Sequence, residues 1–129
     1  MDNGNVAVYD IRRNNSKPIY QSSVRSKKHT DPVWAVKWNK DSQKLNFYSI
    51  SSDGRVLNWL LMKDLLECEE VYKLKFVDKK NKNKENQCSL TSLGCGLCFD
   101  FSKVDRFSFI VGTEEGNIHL CYTAYSGDY

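Results

Sequence analysis

Apolar and polar positions alternate along this chain in short runs, and three of the runs share one pattern. A turn ending in Gly is followed by an alternating stretch, which closes on an aromatic or sulfur-bearing residue five positions after the Gly. The copies are Gly4-Asn5-Val6-Ala7-Val8-Tyr9-Asp10, Gly54-Arg55-Val56-Leu57-Asn58-Trp59-Leu60 and Gly116-Asn117-Ile118-His119-Leu120-Cys121-Tyr122, at offsets of 50 and 62 residues. A period of two is the signature of a strand half covered on one face. A recurring unit of this size, made of short strands that cannot bury their own apolar faces alone, marks a repeat architecture. It points to a scaffold for binding and away from a self-contained enzyme.

The second and third copies match further upstream. Leu45 to Ile50 runs into the turn Ser51-Ser52-Asp53-Gly54, and Phe107 to Val111 runs into Gly112-Thr113-Glu114-Glu115-Gly116. Asp-Gly between two alternating runs predicts a tight hairpin with positive φ at Asp and Gly. Before these lie Val33, Val36 and Trp38 in one unit and Leu97, Phe99 and Phe101 in the other. Each unit therefore reads as an antiparallel meander. The predicted strands are 5–10, 18–23, 33–38, 45–51, 55–60, 96–101, 107–112 and 117–122. Met62 to Glu70 fits a helical turn, and the alternation from Val71 to Phe76 reads as a ninth, edge strand. Val24 to Pro32 is a basic loop. Asp78 to Gln87 carries no apolar residue and is expected to be a solvated, disordered loop. The fold class expected is all-β.

Composition changes this picture little. At 129 residues the chain has the length of one small domain, and its 12% aromatic content with three Trp suits wide sheets. A net charge of +3 is too small to imply nucleic acid without a focused patch. No run of about 18 apolar residues is present, so no transmembrane helix is expected. Met1-Asp2-Asn3-Gly4 resembles neither a signal nor a transit peptide. Five Cys, an odd number at irregular spacing, read as free thiols of a reducing compartment.

These residues resemble those of WD-repeat β-propellers. In that family a His before the first strand, a Ser or Thr, a tight-turn Asp and a strand-closing Trp form a buried hydrogen-bonded tetrad. The resemblance implies such a structural tetrad of His29, Ser49, Asp53 and Trp59 in the middle unit. Ser49 lies four positions before Asp53, and Trp59 lies six after it. The match departs from the family pattern where Leu60 follows Trp59. The third unit has Val111, Glu115 and Cys121 at the matching places and no opening His, so it is expected to lack the tetrad. More closely still, Lys28 to Trp38, Leu45-Asn46-Phe47, Ser51 to Arg55, Val111 to Gly116 and Ala124-Tyr125-Ser126 look like the dynein intermediate chain family. Gly4 to Tyr9 and Tyr20 to Ser23 lean toward its axonemal branch.

What that resemblance implies is a non-catalytic scaffold subunit of a microtubule motor, in the cytoskeleton of a cilium or flagellum. Its propeller would bind the dynein heavy chain and other intermediate and light chains, with no nucleic acid, membrane, cofactor or metal. The runner-up is a WD-repeat adaptor of another assembly. The repeat phase predicts an incomplete ring. Residues 1–23 would be the outer half of one blade, 24–77 a full blade, 78–92 a disordered insert and 93–129 most of a third blade. The two terminal units would then show bare apolar faces, with Val6, Val8 and Ile19 on one side and Phe107, Phe109, Ile118 and Leu120 on the other.

Other readings of the same residues are weaker. Cys95-Gly96-Leu97-Cys98, with His119 and Cys121 further on, contains metal-ligand types, but Cys98 and Cys121 fall in predicted strands, which favours buried structural Cys. His29, Asp53 and Ser49 have the composition of a nucleophile triad, yet Trp59 would close the network and leave no cleft. Lys79, Lys80, Lys82 and Lys84 form a charge run with no interleaved aromatic, read as a solvated loop. Trp34 has two readings: packed beneath a neighbouring blade, or an exposed anchor for a partner. With Lys27, Lys28 and Asp31 it forms the candidate partner-binding set.

Overall fold

The structure, a computed structural model, describes residues 3–23, 27–40, 43–74 and 94–123. Among them are nine strands: β1 (Ala7–Val8), β2 (Tyr20–Gln21), β3 (Val33–Trp38), β4 (Asn46–Ser51), β5 (Arg55–Leu61), β6 (Leu66–Lys73), β7 (Gly96–Phe101), β8 (Ser108–Thr113) and β9 (Ile118–Tyr122). They form three antiparallel sheets, each following chain order: β1-β2, β3-β4-β5-β6 and β7-β8-β9. This all-β arrangement of consecutive meanders is that of part of a WD-repeat β-propeller.

Three local expectations change. The first two strands are only two residues long, because β1 pairs with β2 through Ala7↔Gln21 and Val8↔Tyr20 alone. Met62 to Glu70 makes no helical turn: from Leu66 onward it belongs to β6, held by the ladder from Leu61↔Leu66 to Arg55↔Lys73. The turns also differ in type. Gly54 N–H donates to Ser51 O and Gly116 N–H to Thr113 O, and the only positive φ values among the described residues are at Gly4, Gly54 and Gly116. Asp53 thus keeps a negative φ and Gly54 alone takes the left-handed position, as in a type I turn closed by a Gly. The insert at 78–92 and the Lys run within it lie outside the described residues.

Two cores form, one on each face of the four-stranded sheet. Side chains alternate across a strand, so β4 and β5 supply both. Phe47, Leu57 and Trp59 join Val6, Val8 and Leu66 on one face. Tyr48, Ile50 and Val56 join Leu74, Phe99, Phe109, Val111 and Cys121 on the other. This explains why every residue of β4 is buried. It also corrects the expected bare faces, because Val6, Val8 and Phe109 are buried against the middle sheet. Ile19, Phe107, Ile118 and Leu120 are exposed, as expected.

The third sheet packs tightly against the middle unit at Gly96, where a Cβ would collide with Ile50 and lie 2.9 Å from Leu74 Cδ1. Both neighbours are fully buried and have nowhere to move. Gly96→Ala should therefore lower stability by about 1–3 kcal/mol through overpacking. Gly116→Ala meets no atom within 4 Å but keeps φ at +79°, and should cost about 1 kcal/mol through backbone strain alone. Urea unfolding midpoints of the two variants compare the effects, and an unshifted midpoint for Gly96→Ala would contradict the close packing.

Candidate functional site

The loop before β3 brings His29 under the β4–β5 turn, where the ring is fully buried. Its Nδ1 lies 3.0 and 3.1 Å from the two carboxylate oxygens of Asp53. Its Nε2 lies 2.7 Å from Ser49 Oγ. Trp59 Nε1–H donates to the same Oγ at 2.7 Å. The Asp53 carboxylate can only accept and so takes the Nδ1–H, which leaves the Ser49 hydroxyl to donate to Nε2 while its oxygen accepts the indole N–H. Nε2 is then the acceptor, and Nδ1 carries the hydrogen that Asp53 receives. All four polar side chains are satisfied in one chain running from turn to strand, as buried polar groups require.

Asp53 is the hub. Its side chain is 4% exposed. It accepts from the backbone N–H of Thr30 and of Arg55, each at 3.0 Å, and from the Arg55 guanidinium at 3.0 and 3.2 Å. Burial pushes its pKa up, but the hydrogen bonds from His29, Arg55 and Thr30 outweigh burial and bring it down from 3.8 to about 2. Arg55 was not singled out from the sequence. It also donates to the carbonyls of Lys28 at 2.6 Å and Lys27 at 3.4 Å, and pairs with Glu70 at 3.8 Å. An Arg directly after a turn Gly carries no distinctive pattern, and its reach back to the loop 28 positions earlier is purely tertiary.

In the third sheet Val111 and Cys121 occupy the places of Ser49 and Trp59, both buried and apolar in character. Glu115, in the place of Asp53, accepts the Cys95 N–H at 3.0 Å, so a carboxylate still holds the incoming loop without an imidazole. Burial raises the Cys121 thiol to about 11. Cys98, in contrast to the expectation, is exposed: it stands opposite Gly112 on the outward face of the sheet. Among the described residues no group of three or more His, Cys, Asp or Glu is placed to hold a metal ion.

The nucleophile-triad composition comes together in space but cannot act as one. Ser49 and His29 are both fully buried and the indole of Trp59 fills the approach to the hydroxyl, so no substrate carbonyl reaches Oγ.

The other candidate residues surround this network. Trp34 sits at the β-bulge of β3 between Val33 and Ala35, is 58% exposed, and anchors its indole N–H on Ser52 Oγ at 2.6 Å. Asp31 is exposed, and its carbonyl accepts from Ser51 Oγ at 2.9 Å. Lys28 is half-buried, with Nζ 2.6 Å from Asn5 Oδ1, and Lys27 is exposed. Trp34, Asp31 and Lys27 are thus exposed, while Lys28 is tied to Asn5.

The sequence matches no family model. Among curated proteins it is 45% identical over 128 residues to the ciliary dynein intermediate chain 2 of Heliocidaris crassispina, a match covering 98% of this chain and 18% of that protein. It is 44% identical over 128 residues to dynein axonemal intermediate chain 1 of Bos taurus, with the same coverage. It is 43% identical over 130 residues to the 78 kDa intermediate chain of the flagellar outer arm dynein of Chlamydomonas reinhardtii, across 98% of this chain and 19% of that one. Over the residues it spans, the chain is homologous to a segment of dynein intermediate chains. It covers less than a fifth of the length of these relatives. Within this segment, the tetrad ties the loop before β3 to β4 and β5, and Trp34 is the most exposed of the three Trp.

Asp53→Ala strands His29 and the Thr30 N–H, and should cost on the order of 1–3 kcal/mol, more than Glu115→Ala, whose carboxylate is exposed. Equal shifts in urea melts would contradict the hub role. The pH dependence has a definite sign. Asp53 titrates at about 2 when folded against 3.8 ordinarily. Its contribution is therefore complete above about pH 4 and is lost as pH falls toward 2. Acid unfolding followed by circular dichroism should be less steep in Asp53→Asn than in the parent across that window.

Proposed function

We propose that this chain is a non-catalytic scaffold segment of a dynein motor complex in the axoneme of a cilium or flagellum. In this reading it binds the dynein heavy chain and other intermediate and light chains and takes no part in ATP hydrolysis. The observation that carries the reading is the 43–45% identity sustained along 98% of the chain to ciliary, axonemal and flagellar outer arm intermediate chains. The geometry supports it. The middle sheet is braced internally by His29, Ser49, Asp53 and Trp59, a structural tetrad, and the side chains left outside that brace suit recognition. The two-stranded sheet is the outer half of one blade, the four-stranded sheet a full blade and the three-stranded sheet most of a third.

Trp34, Lys27, Lys28 and Asp31 form the partner-binding surface in this proposal. Trp is enriched at the centres of interfaces because a large rigid side chain buries much area at little entropic cost. The bond from Trp34 to Ser52 fixes the ring before any partner arrives, which lowers that cost further.

The test is binding to purified dynein heavy-chain tail, measured by biolayer interferometry with this chain and with a longer intermediate chain carrying it. Trp34→Ala should weaken binding by tenfold or more and leave the melting temperature within about 2 °C, since it removes an exposed side chain. Unchanged affinity would remove Trp34 from the interface. Absence of heavy-chain binding in both forms would remove the functional reading itself.

A further inference from the structure

A second surface lies where the loop between β1 and β2 meets the turn between β5 and β6. There a cleft of about 430 Å³ opens between Arg13, Lys17, Ile19 and Tyr20 on one side and Lys63 and Asp64 on the other. Its floor is fixed. Tyr20 Oη donates to Met62 O at 2.7 Å, tying the first sheet to the turn of the second. Asn15 Oδ1 accepts the Lys17 N–H at 3.2 Å and holds the loop that carries the cations. Three basic side chains therefore converge on one concavity from two separate sheets. Among the described residues neither Lys17 nor Lys63 has an ion-pair partner within 4 Å, and Arg13 reaches Asp10 only at 3.8 Å.

We propose that this cleft binds an acidic peptide segment of a partner protein, with carboxylates set on Arg13, Lys17 and Lys63. Three cations against one acid leave the cleft with an excess of two positive charges, which complements a short run of Asp or Glu. Asp64 on the rim distinguishes the ligand class. A carboxylate there can only accept hydrogen bonds, and the backbone of a nucleic acid strand carries no N–H to offer it. A peptide supplies backbone N–H groups that Asp64 and the side chain of Asn15 can meet, beside carboxylates for the cations. Ile19 and the Tyr20 ring give the peptide's apolar stems a surface to lie on. A ligand here bridges the two sheets and should stabilise their contact, because it binds only the folded arrangement.

The experiment uses this chain with a fluorescein-labelled hexaglutamate peptide, followed by fluorescence anisotropy at low and moderate salt, with hexaglutamine and a six-nucleotide oligothymidine as comparisons. Expected are binding of hexaglutamate that weakens several-fold as salt rises, a rise in melting temperature with the peptide, and tenfold or weaker binding of both comparison ligands. Lys17→Glu with Lys63→Glu should abolish hexaglutamate binding, and Lys17→Arg with Lys63→Arg should keep it. The arginine pair guards against loss by unfolding, as does an unchanged circular dichroism spectrum of the glutamate pair. Binding that survives the charge reversal, equal binding of hexaglutamine, or tighter binding of the oligonucleotide would each overturn the proposal.

Discussion

One buried carboxylate organises the middle of this molecule. Asp53 receives the imidazole of His29, two backbone N–H groups and the Arg55 guanidinium, and so joins the loop before β3 to the turn between β4 and β5. Arg55 extends that convergence by donating to the Lys27 and Lys28 carbonyls of the same loop. The imidazole then hands the connection to Ser49 and Trp59, deep in the sheet. A fully buried polar chain of this kind is costly to assemble partly and stable only when complete. Its completeness is what allows Trp59 to be both a hydrogen-bond donor and a core residue, stacked at 6.1 Å on Phe47.

From this hub the apolar packing extends in both directions. The four-stranded sheet has two buried faces and no solvent face of its own along β4. Each neighbouring sheet therefore completes one core, and neither core belongs to a single repeat. The third unit shows what happens when the polar chain is absent. Val111 and Cys121 pack where Ser49 and Trp59 bond, and Glu115 keeps only the tie to the loop backbone. The same architecture is thus held once by a polar network and once by apolar contact, and the polar version is the one that sits beneath the exposed Trp34.

That division separates two duties. Inside the middle sheet, the side chains of His29, Ser49, Asp53 and Trp59 satisfy one another. Outside it, Trp34 on β3 and Lys27 and Asp31 on the preceding loop are exposed. Similarity to dynein intermediate chains, sustained along 98% of the chain, is in keeping with this division.

The alternation of Val6 to Tyr9, Val56 to Leu60 and Ile118 to Tyr122 was enough to read an all-β chain of meanders, because period-two burial is a local property of strands. The long strands β3, β4, β5, β7 and β8 were legible to within one residue for the same reason. The glycines closing each turn were legible because only Gly takes a left-handed backbone there without strain. The residue types of the tetrad were also visible, at spacings that matched a known pattern. Other features depended on distance in space. β6 carries charges at Glu67, Glu69 and Glu70 that look helical or loop-like, and it is a strand because β5 offers it a full ladder. Val6, Val8 and Phe109 are buried because sheets on either side close over them, which no local pattern announces. Arg55 became a clamp, and Arg13, Lys17 and Lys63 became one cleft, only when loops far apart in the chain were brought together. Local periodicity determines which residues can face inward; the meeting of separate sheets decides which of them do.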